Sequence, residues 1–292
     1  MARTVSEQLA VDWLLWLRDV KGRSQSTITT YTRVLMAWEE WATSHNVEPL
    51  RPTLEELEKF IKRKTRQGKA RSAADRAKQV AILSGWFSWM HQREYLEENY
   101  ALDLQGPTVK HKEGRPIPDE EWEALWDVVP TRRLRAVLGL GFFCGLRSSE
   151  LQAVTYENIT DTKLWRLKRK GGDEHTVPYA DLATLHGQRL PNLLPDPHQF
   201  VLDVQQIVTD RARLTPWNKP GGLNLFMDRL CAKAGTTRFT PHQLRHSTAT
   251  NLLRMGVEPH TVMRIMNHSS FDMTMRYVGE AATSLKGLIE DG

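Results

Sequence analysis

Six polar residues, scattered over four short stretches of a 292-residue chain, carry side chains that together suit displacement at a phosphodiester. Arg147 stands in GLRSSEL (145–151), Lys170 in RKGG (169–172), His242 and Arg245 in TPHQLRHSTAT (240–250), and His268 and Tyr277 in MNHSSFDMTMRYVGE (266–280). Attack on phosphorus loads negative charge onto its equatorial oxygens, and two guanidiniums can grip the non-bridging pair in bidentate fashion. Histidines can bond the same oxygens and help take the nucleophile's proton. A lysine, as a proton donor or point charge, can serve the departing oxygen. A phenol, with an ordinary pKa of about 10, becomes a nucleophile once positioned and relieved of its proton. Fixed cations would do a metal's electrostatic work, and the sequence offers no Asp/Glu cluster of the two-metal kind.

Taken singly, each residue has a plainer reading. Arg147 is a turn arginine, Lys170 a solvated hairpin lysine, Tyr277 a core tyrosine on an amphipathic segment. The stretch at 240 is harder to dismiss. Thr240, Pro241 and Gln243 spell a helix start with a capping box, with Ser148 or Ser149 a similar cap after Arg147. His242 and Arg245, three apart, share one face of that helix's first turn. Cations sit poorly at the electropositive end of a helix, and a phosphate bound there resolves the conflict.

These pieces must be held by the elements around them. Apolar residues at helical spacing predict four helices between residues 4 and 104, among them Leu9, Trp13, Trp16, Leu17 and Val20, then Ile28, Tyr31, Leu35, Trp38 and Trp41. Residues 105–118, QGPTVKHKEGRPIP, have the Gly, Pro and basic character of a linker. From 119 onward the pattern is helical, briefly β, then helical again. LWRLKRKGGDEHTVPY reads as a β-hairpin about Gly171 and Gly172. The expected fold is therefore mainly α in two domains: a small four-helix domain (1–104) and a mostly-α catalytic domain (119–292) with a small β-hairpin, joined by the basic linker (105–118).

Composition permits such a role without dictating it. Forty per cent hydrophobic and 26% charged residues, a formal charge of +5 and a pI near 9.2 describe a globular, moderately basic chain. Two distant cysteines, Cys144 and Cys231, form neither a disulfide framework nor a zinc spacing. No apolar run is long enough to span a bilayer, and the N-terminus lacks a signal-peptide core. A cytoplasmic setting is the expectation. Nine Lys/Arg face a single acid between Lys59 and Lys78. Either this is a solvated helix face, or Lys62, Arg63, Lys64, Arg66, Lys69, Arg71, Arg76 and Lys78, with Arg23 and Arg33 before them and Lys110 and Lys112 in the linker, neutralise DNA phosphates.

GLRSSEL, KGGDEHTVP, TPHQLRHSTATNLL and MNHSSFDMTMRY resemble, in order and spacing, the motifs of the tyrosine recombinases of the phage integrase family. The resemblance covers roughly 120–280, and the helical region before it looks like that family's core-binding domain. It implies that Arg147 and Arg245 clamp the phosphate and that Lys170 is the general acid toward the 5′ oxygen. It further implies that His242 supports proton transfer, His268 orients the phosphate, Tyr277 is the nucleophile, and Glu150 backs the first arginine. It implies a 3′-phosphotyrosyl intermediate formed without metal, cofactor or ATP on double-stranded DNA. Four protomers would act through a four-way junction, with an accessory or directionality factor as a further partner. The sequence departs from the family at Asn267, where Gly is usual, with a local turn adjustment expected. Residues before the first helix leave no room for an arm-binding domain, so a compact integrase is expected, with an Xer-type resolvase or a non-catalytic DNA-binding relative as alternatives. The tail EAATSLKGLIEDG (280–292) is expected to form a short amphipathic helix, and the resemblance implies that it docks on a neighbouring protomer.

Overall fold

The computed structural model describes residues 4–109, 115–168, 174–210, 213–217, 221–268, 270–275 and 277–278. Lys110, Lys112, Lys170 and the tail beyond Val278 lie outside them. The chain divides into two compact units, Met1–Lys112 and Glu113–Gly292.

The first unit holds α1 (Val5–Asp19), α2 (Gln25–Ser44), α3 (Leu54–Lys62) and α4 (Ala73–Gln92). Each starts on the hydroxyl its sequence supplies: the side chains of Thr4, Ser24, Thr53 and Ser72 accept backbone N–H bonds from the first turn. Trp38, Phe60, Leu83, Trp86 and Phe87 are completely buried where the four apolar stripes meet. Trp38 packs edge-on to Phe60 at 5.2 Å and donates its indole N–H to the Pro49 carbonyl, so its one polar atom is satisfied.

The second unit holds α5 (Asp119–Asp127), α6 (Arg132–Phe142), α7 (Ser148–Ala153), a 3-10 turn (Tyr156–Asn158), β1 (Leu164–Lys168), β2 (Glu174–Val177), α8 (Tyr179–Arg189), α9 (Pro197–Asp210), α10 (Gly222–Ala234), α11 (Pro241–Arg254) and α12 (Pro259–Met266). Residues 271–275 and 277–278 are helical as well. The strands pair antiparallel, Leu164 opposite Val177 and Lys168 opposite Glu174, with a bulge at Trp165–Arg166 that puts Arg166 at φ +51°. Nine of the ten tryptophans pack in or against the two cores; Trp165, on this bulge, is 52% exposed.

Helix α6 is the hub, buried from Ala136 to Phe142 and packed on both α9 and α11. The turn after it contains Gly145, whose φ of +68° favours glycine and where a Cβ would lie 2.7 Å from the Met266 sulfur. That close approach brings the α6–α7 turn, with Arg147, against the end of α12. Helix α8 contributes a fully buried imidazole: His186 donates Nδ1–H to the Leu182 carbonyl at 2.8 Å while Nε2 has no partner among the described residues. Burial pushes its pKa down to about 4. The two helices at Tyr179–Arg189 and Pro197–Asp210 are not announced by the sequence pattern; α9 packs on α6, and α8 packs on α9.

Candidate active site

Arg147 is the N-cap residue of α7, so the proposed caps Ser148 and Ser149 lie within the helix instead. The cap comes from Glu150. Its buried carboxylate accepts from the Arg147 backbone N–H at 2.7 Å and from Nη1 at 2.9 Å. A neighbouring charge and two hydrogen bonds overcome its burial and hold the Glu150 pKa below the ordinary carboxylate range. The same guanidinium donates Nη2–H to the Asn267 carbonyl at 3.0 Å.

Arg245, one turn into α11 and 5% exposed, sends its two Nη groups to the Gly145 and Met266 carbonyls. The two arginines therefore grip successive carbonyls, Met266 and Asn267, at the end of α12. A helix C-terminus carries partial negative charge and unpaired carbonyls, which makes it a natural anchor for two cations. Asn267 supplies the geometry: at φ +50°, ψ +59° it is left-handed, a conformation asparagine tolerates and β-branched residues do not. The turn adjustment expected at this departure from glycine is this left-handed asparagine cap. Asn267→Val should lower stability by about 1–2 kcal/mol, read as a shift of the urea midpoint, and slow DNA cleavage because the Arg147 anchor moves. An unchanged midpoint would contradict the strain argument.

His268 follows immediately. It is 5% exposed, and its Nδ1 shares a 2.8 Å hydrogen bond with the buried Thr274 hydroxyl. Tyr277, 8% exposed, lies parallel to the His268 ring at a centroid distance of 5.9 Å and meets His246 at 4.8 Å with a 65° interplanar angle. His242 sits a further 5.2 Å from His246, almost perpendicular. Thus Arg147, Glu150, His242, Arg245, His268 and Tyr277, all anticipated, are brought together; Lys170 lies outside the described residues. The sequence reading missed His246 and Thr274. Their signals were present: His246 is four residues beyond His242, and Thr274 three before Tyr277, both helical neighbours.

The site is electropositive without protonated imidazoles. Partial desolvation, then the charges of Arg245 and Arg147, lower the pKa of the exposed His242. Burial and the same guanidiniums take His268 down to about 4, and burial with His242 and Arg245 does likewise for His246. At neutral pH the histidines are neutral rings, able to accept a proton.

With His186 this makes three imidazoles whose folded pKa, about 4, lies below the ordinary 6.5. As pH falls from 6.5 to 4 the unfolded chain takes up protons that the folded chain refuses, so stability falls through that window and levels off below it. Each fully buried neutral histidine steepens the slope by about 1.4 kcal/mol per pH unit. His186→Leu, remote from the arginines, should flatten the urea-unfolding free energy by about that amount between pH 6.5 and 4.5; parallel slopes in parent and variant would refute this.

Of the predicted DNA contacts in the first unit, Arg23, Arg33, Lys62, Lys64, Arg66, Lys69 and Lys78 are exposed, while Arg63, Arg71 and Arg76 are half-buried. Arg33, Arg71 and Lys78 line one cleft with Thr30. Lys62 pairs with Glu58 at 2.6 Å, and Arg71 with Asp75 at 2.7 Å. Arg63 lines the same cleft and also makes contacts within the unit. Its guanidinium donates to the Phe60 carbonyl at 2.6 Å and to Gln79 Oε1 at 2.7 Å and lies 3.4 Å above the Phe60 ring. Burial and the neighbouring Arg71 push its pKa down to about 10. It braces α3 against α4, a use the charge run could not distinguish from a phosphate contact.

Among the described residues, no three His, Cys, Asp or Glu side chains gather into a metal-binding group, and no helix is long and apolar enough to cross a membrane.

Two family models match the chain: "Phage integrase family" over 116–283 and "Phage integrase, N-terminal SAM-like domain" over 10–94. Tyrosine recombinase XerD of Vibrio vulnificus is 25% identical, covering 93% of this chain and 90% of its own. Tyrosine recombinase XerC of Haemophilus ducreyi is 28% identical, covering 90% and 86%, and XerA of Pyrococcus furiosus 26%, covering 99% and 95%. Among solved structures, a lambda integrase dimer bound to a COC′ core site superposes with a TM-score of 0.70 at 18% identity, covering 93% of this chain and 76% of that one. The Tn1549 transposon integrase in complex with circular intermediate DNA gives 0.65 at 17%, covering 98% and 99%. These likenesses place the fold.

Proposed function

The chain belongs to the phage integrase family, and from that premise we propose that it is a site-specific DNA recombinase that cuts and rejoins strands through a 3′-phosphotyrosyl ester. One observation carries the reading. The two arginines suited to a phosphate are fastened to successive carbonyls directly before His268, and the Tyr277 ring stacks on His268. Clamp and nucleophile thus share one short piece of chain.

The Tyr277 oxygen attacks phosphorus and the bond to the 5′ oxygen breaks. The phenolic proton passes to a neutral histidine, His242 or His268, while Arg147 and Arg245 hold the charge that gathers on the non-bridging oxygens. Lys170 delivers a proton to the departing 5′ oxygen. A 5′ hydroxyl of the partner duplex then attacks the ester and releases Tyr277. Because the ester keeps the bond energy, neither ATP nor metal enters the balance. The basic residues of the first unit hold duplex DNA by its backbone, four protomers act on two duplexes through a four-way junction, and the setting is the cytoplasm. Integration or excision of a mobile element is the role we favour. An Xer-type role is the second reading, supported by XerD, XerC and XerA, each matched over at least 86% of its length.

The test is covalent capture. The full chain is incubated with a pool of duplexes of randomised sequence in EDTA, quenched in SDS, and the protein-linked DNA is sequenced. The expected product is one family of sites joined by a 3′ phosphate to the peptide carrying Tyr277, opposite a free 5′ hydroxyl. DNA that binds but never becomes linked would turn the reading to a non-catalytic DNA-binding relative. Linkage that relaxes supercoils without exchanging duplexes would turn it to a topoisomerase.

A further inference from the structure

His246 has no place in the chemistry just described, yet it touches two of the site's rings, His242 and Tyr277. On α11 it stands one turn beyond His242 and directly after Arg245. It packs edge-to-face against His242 at 5.2 Å and against Tyr277 at 4.8 Å, while His268 lies along the face of the same tyrosine. Its Nδ1 is buried with no hydrogen-bond partner among the described residues. That nitrogen is not held by a hydrogen bond, and ring packing is the interaction the geometry shows for this side chain. Edge-to-face packing within these distances fixes relative orientation as well as contact.

We propose that His246 is a positioning residue for the nucleophile: its ring wedges between His242 and Tyr277 and, opposite His268, fixes the direction in which the phenol oxygen points. This rests on the reading of Tyr277 as nucleophile and adds what holds it. The neutrality of His246 at physiological pH, with its pKa down at about 4, fits an aromatic wedge beside two guanidiniums, because a charged ring there would repel both. A misplacement of about 1 Å at a reacting atom costs roughly 10²-fold in rate, so a lost wedge shows in the cleavage step.

The test compares His246→Ala, His246→Phe and His246→Asn on the duplex recovered by covalent capture. Two reactions are followed in single turnover. The first is formation of the Tyr277–DNA ester. The second joins a strand ending in a 3′-p-nitrophenyl phosphate to a 5′ hydroxyl. There the hydroxyl oxygen bonds to phosphorus, p-nitrophenolate leaves with the electron pair, and the hydroxyl proton goes to water, so Tyr277 takes no part. His246→Ala should slow ester formation roughly 10–100-fold and leave joining at the parent rate. His246→Phe, which keeps the ring, should recover most of the lost rate, and His246→Asn should not. The proposal is overturned if Asn rescues and Phe does not, since a ring nitrogen would then be at work. It is equally overturned if joining falls in step with ester formation, which would place His246 at the phosphate, or if Ala is as fast as the parent. Should the Ala chain fail to fold, the Phe and Asn chains alone make the same distinction. A parent chain that binds the duplex and forms no ester at Tyr277 removes the underlying reading, a result separable from all of these.

Discussion

A Tyr277→Phe chain should form no SDS-stable species with DNA while binding that DNA within about twofold of the parent, the range of a substitution that disturbs nothing else. The change deletes one oxygen. The ring it leaves is packed between His246 and His268 in a pocket where the tyrosine is only 8% exposed, so the fold has little reason to respond. The chemistry has every reason: the phenol is the group read as the nucleophile, and phenylalanine has no oxygen to attack with. Removal of a covalent nucleophile from a well-organised site costs on the order of 10⁶ in rate, beyond the reach of a gel. An ester that persists in the variant would put the nucleophile elsewhere in the chain.

Arg245→Lys should be nearly as severe even though it conserves charge. The arginine is 5% exposed and bridges two carbonyls, Gly145 at the end of the α6 turn and Met266 at the end of α12. An ammonium is one point with three rotatable protons; it cannot span both carbonyls and also present a planar fork to a phosphate. We expect cleavage to fall about 10²–10³-fold, the effect of removing one pre-set donor from a transition-state oxygen. Stability should drop by about 1.5–3 kcal/mol for the charge-assisted bond that is lost. Covalent capture reads the first and urea unfolding the second. A variant as fast as the parent would remove Arg245 from the clamp.

The chemistry of the site was more legible in the sequence than its support. Arg147, Glu150, His242, Arg245, His268 and Tyr277 could be named because each has a side chain with a role at phosphorus and sits in a short motif of fixed spacing. The first four helices were legible because their apolar stripes are regular and a Ser or Thr stands at each start. What escaped was whatever depends on the folded partner. Helix α9 buries a face against α6, and α8 one against α9, that no local pattern announces. The contacts of Arg63 with Phe60 and Gln79 could not be told from its place in the charge run. The carbonyls of Met266 and Asn267 belong to the backbone, which a reading of side chains passes over, and the worth of His246 comes from a tyrosine 31 positions away.

That pair of carbonyls sets a rule about where the chain can change in length. Between Arg147 and Asn267 lie 119 residues, including the hairpin and helices α7 to α12, and a loop there could grow by several residues without altering how the arginines meet the end of α12. Between Asn267 and Tyr277 lie nine, and each one added or removed would carry the phenol away from the phosphate by a fixed step. Insertions and deletions accepted over the life of this sequence should therefore gather in the surface turns upstream, and the interval from Asn267 to Tyr277 should keep its count even where its letters have drifted.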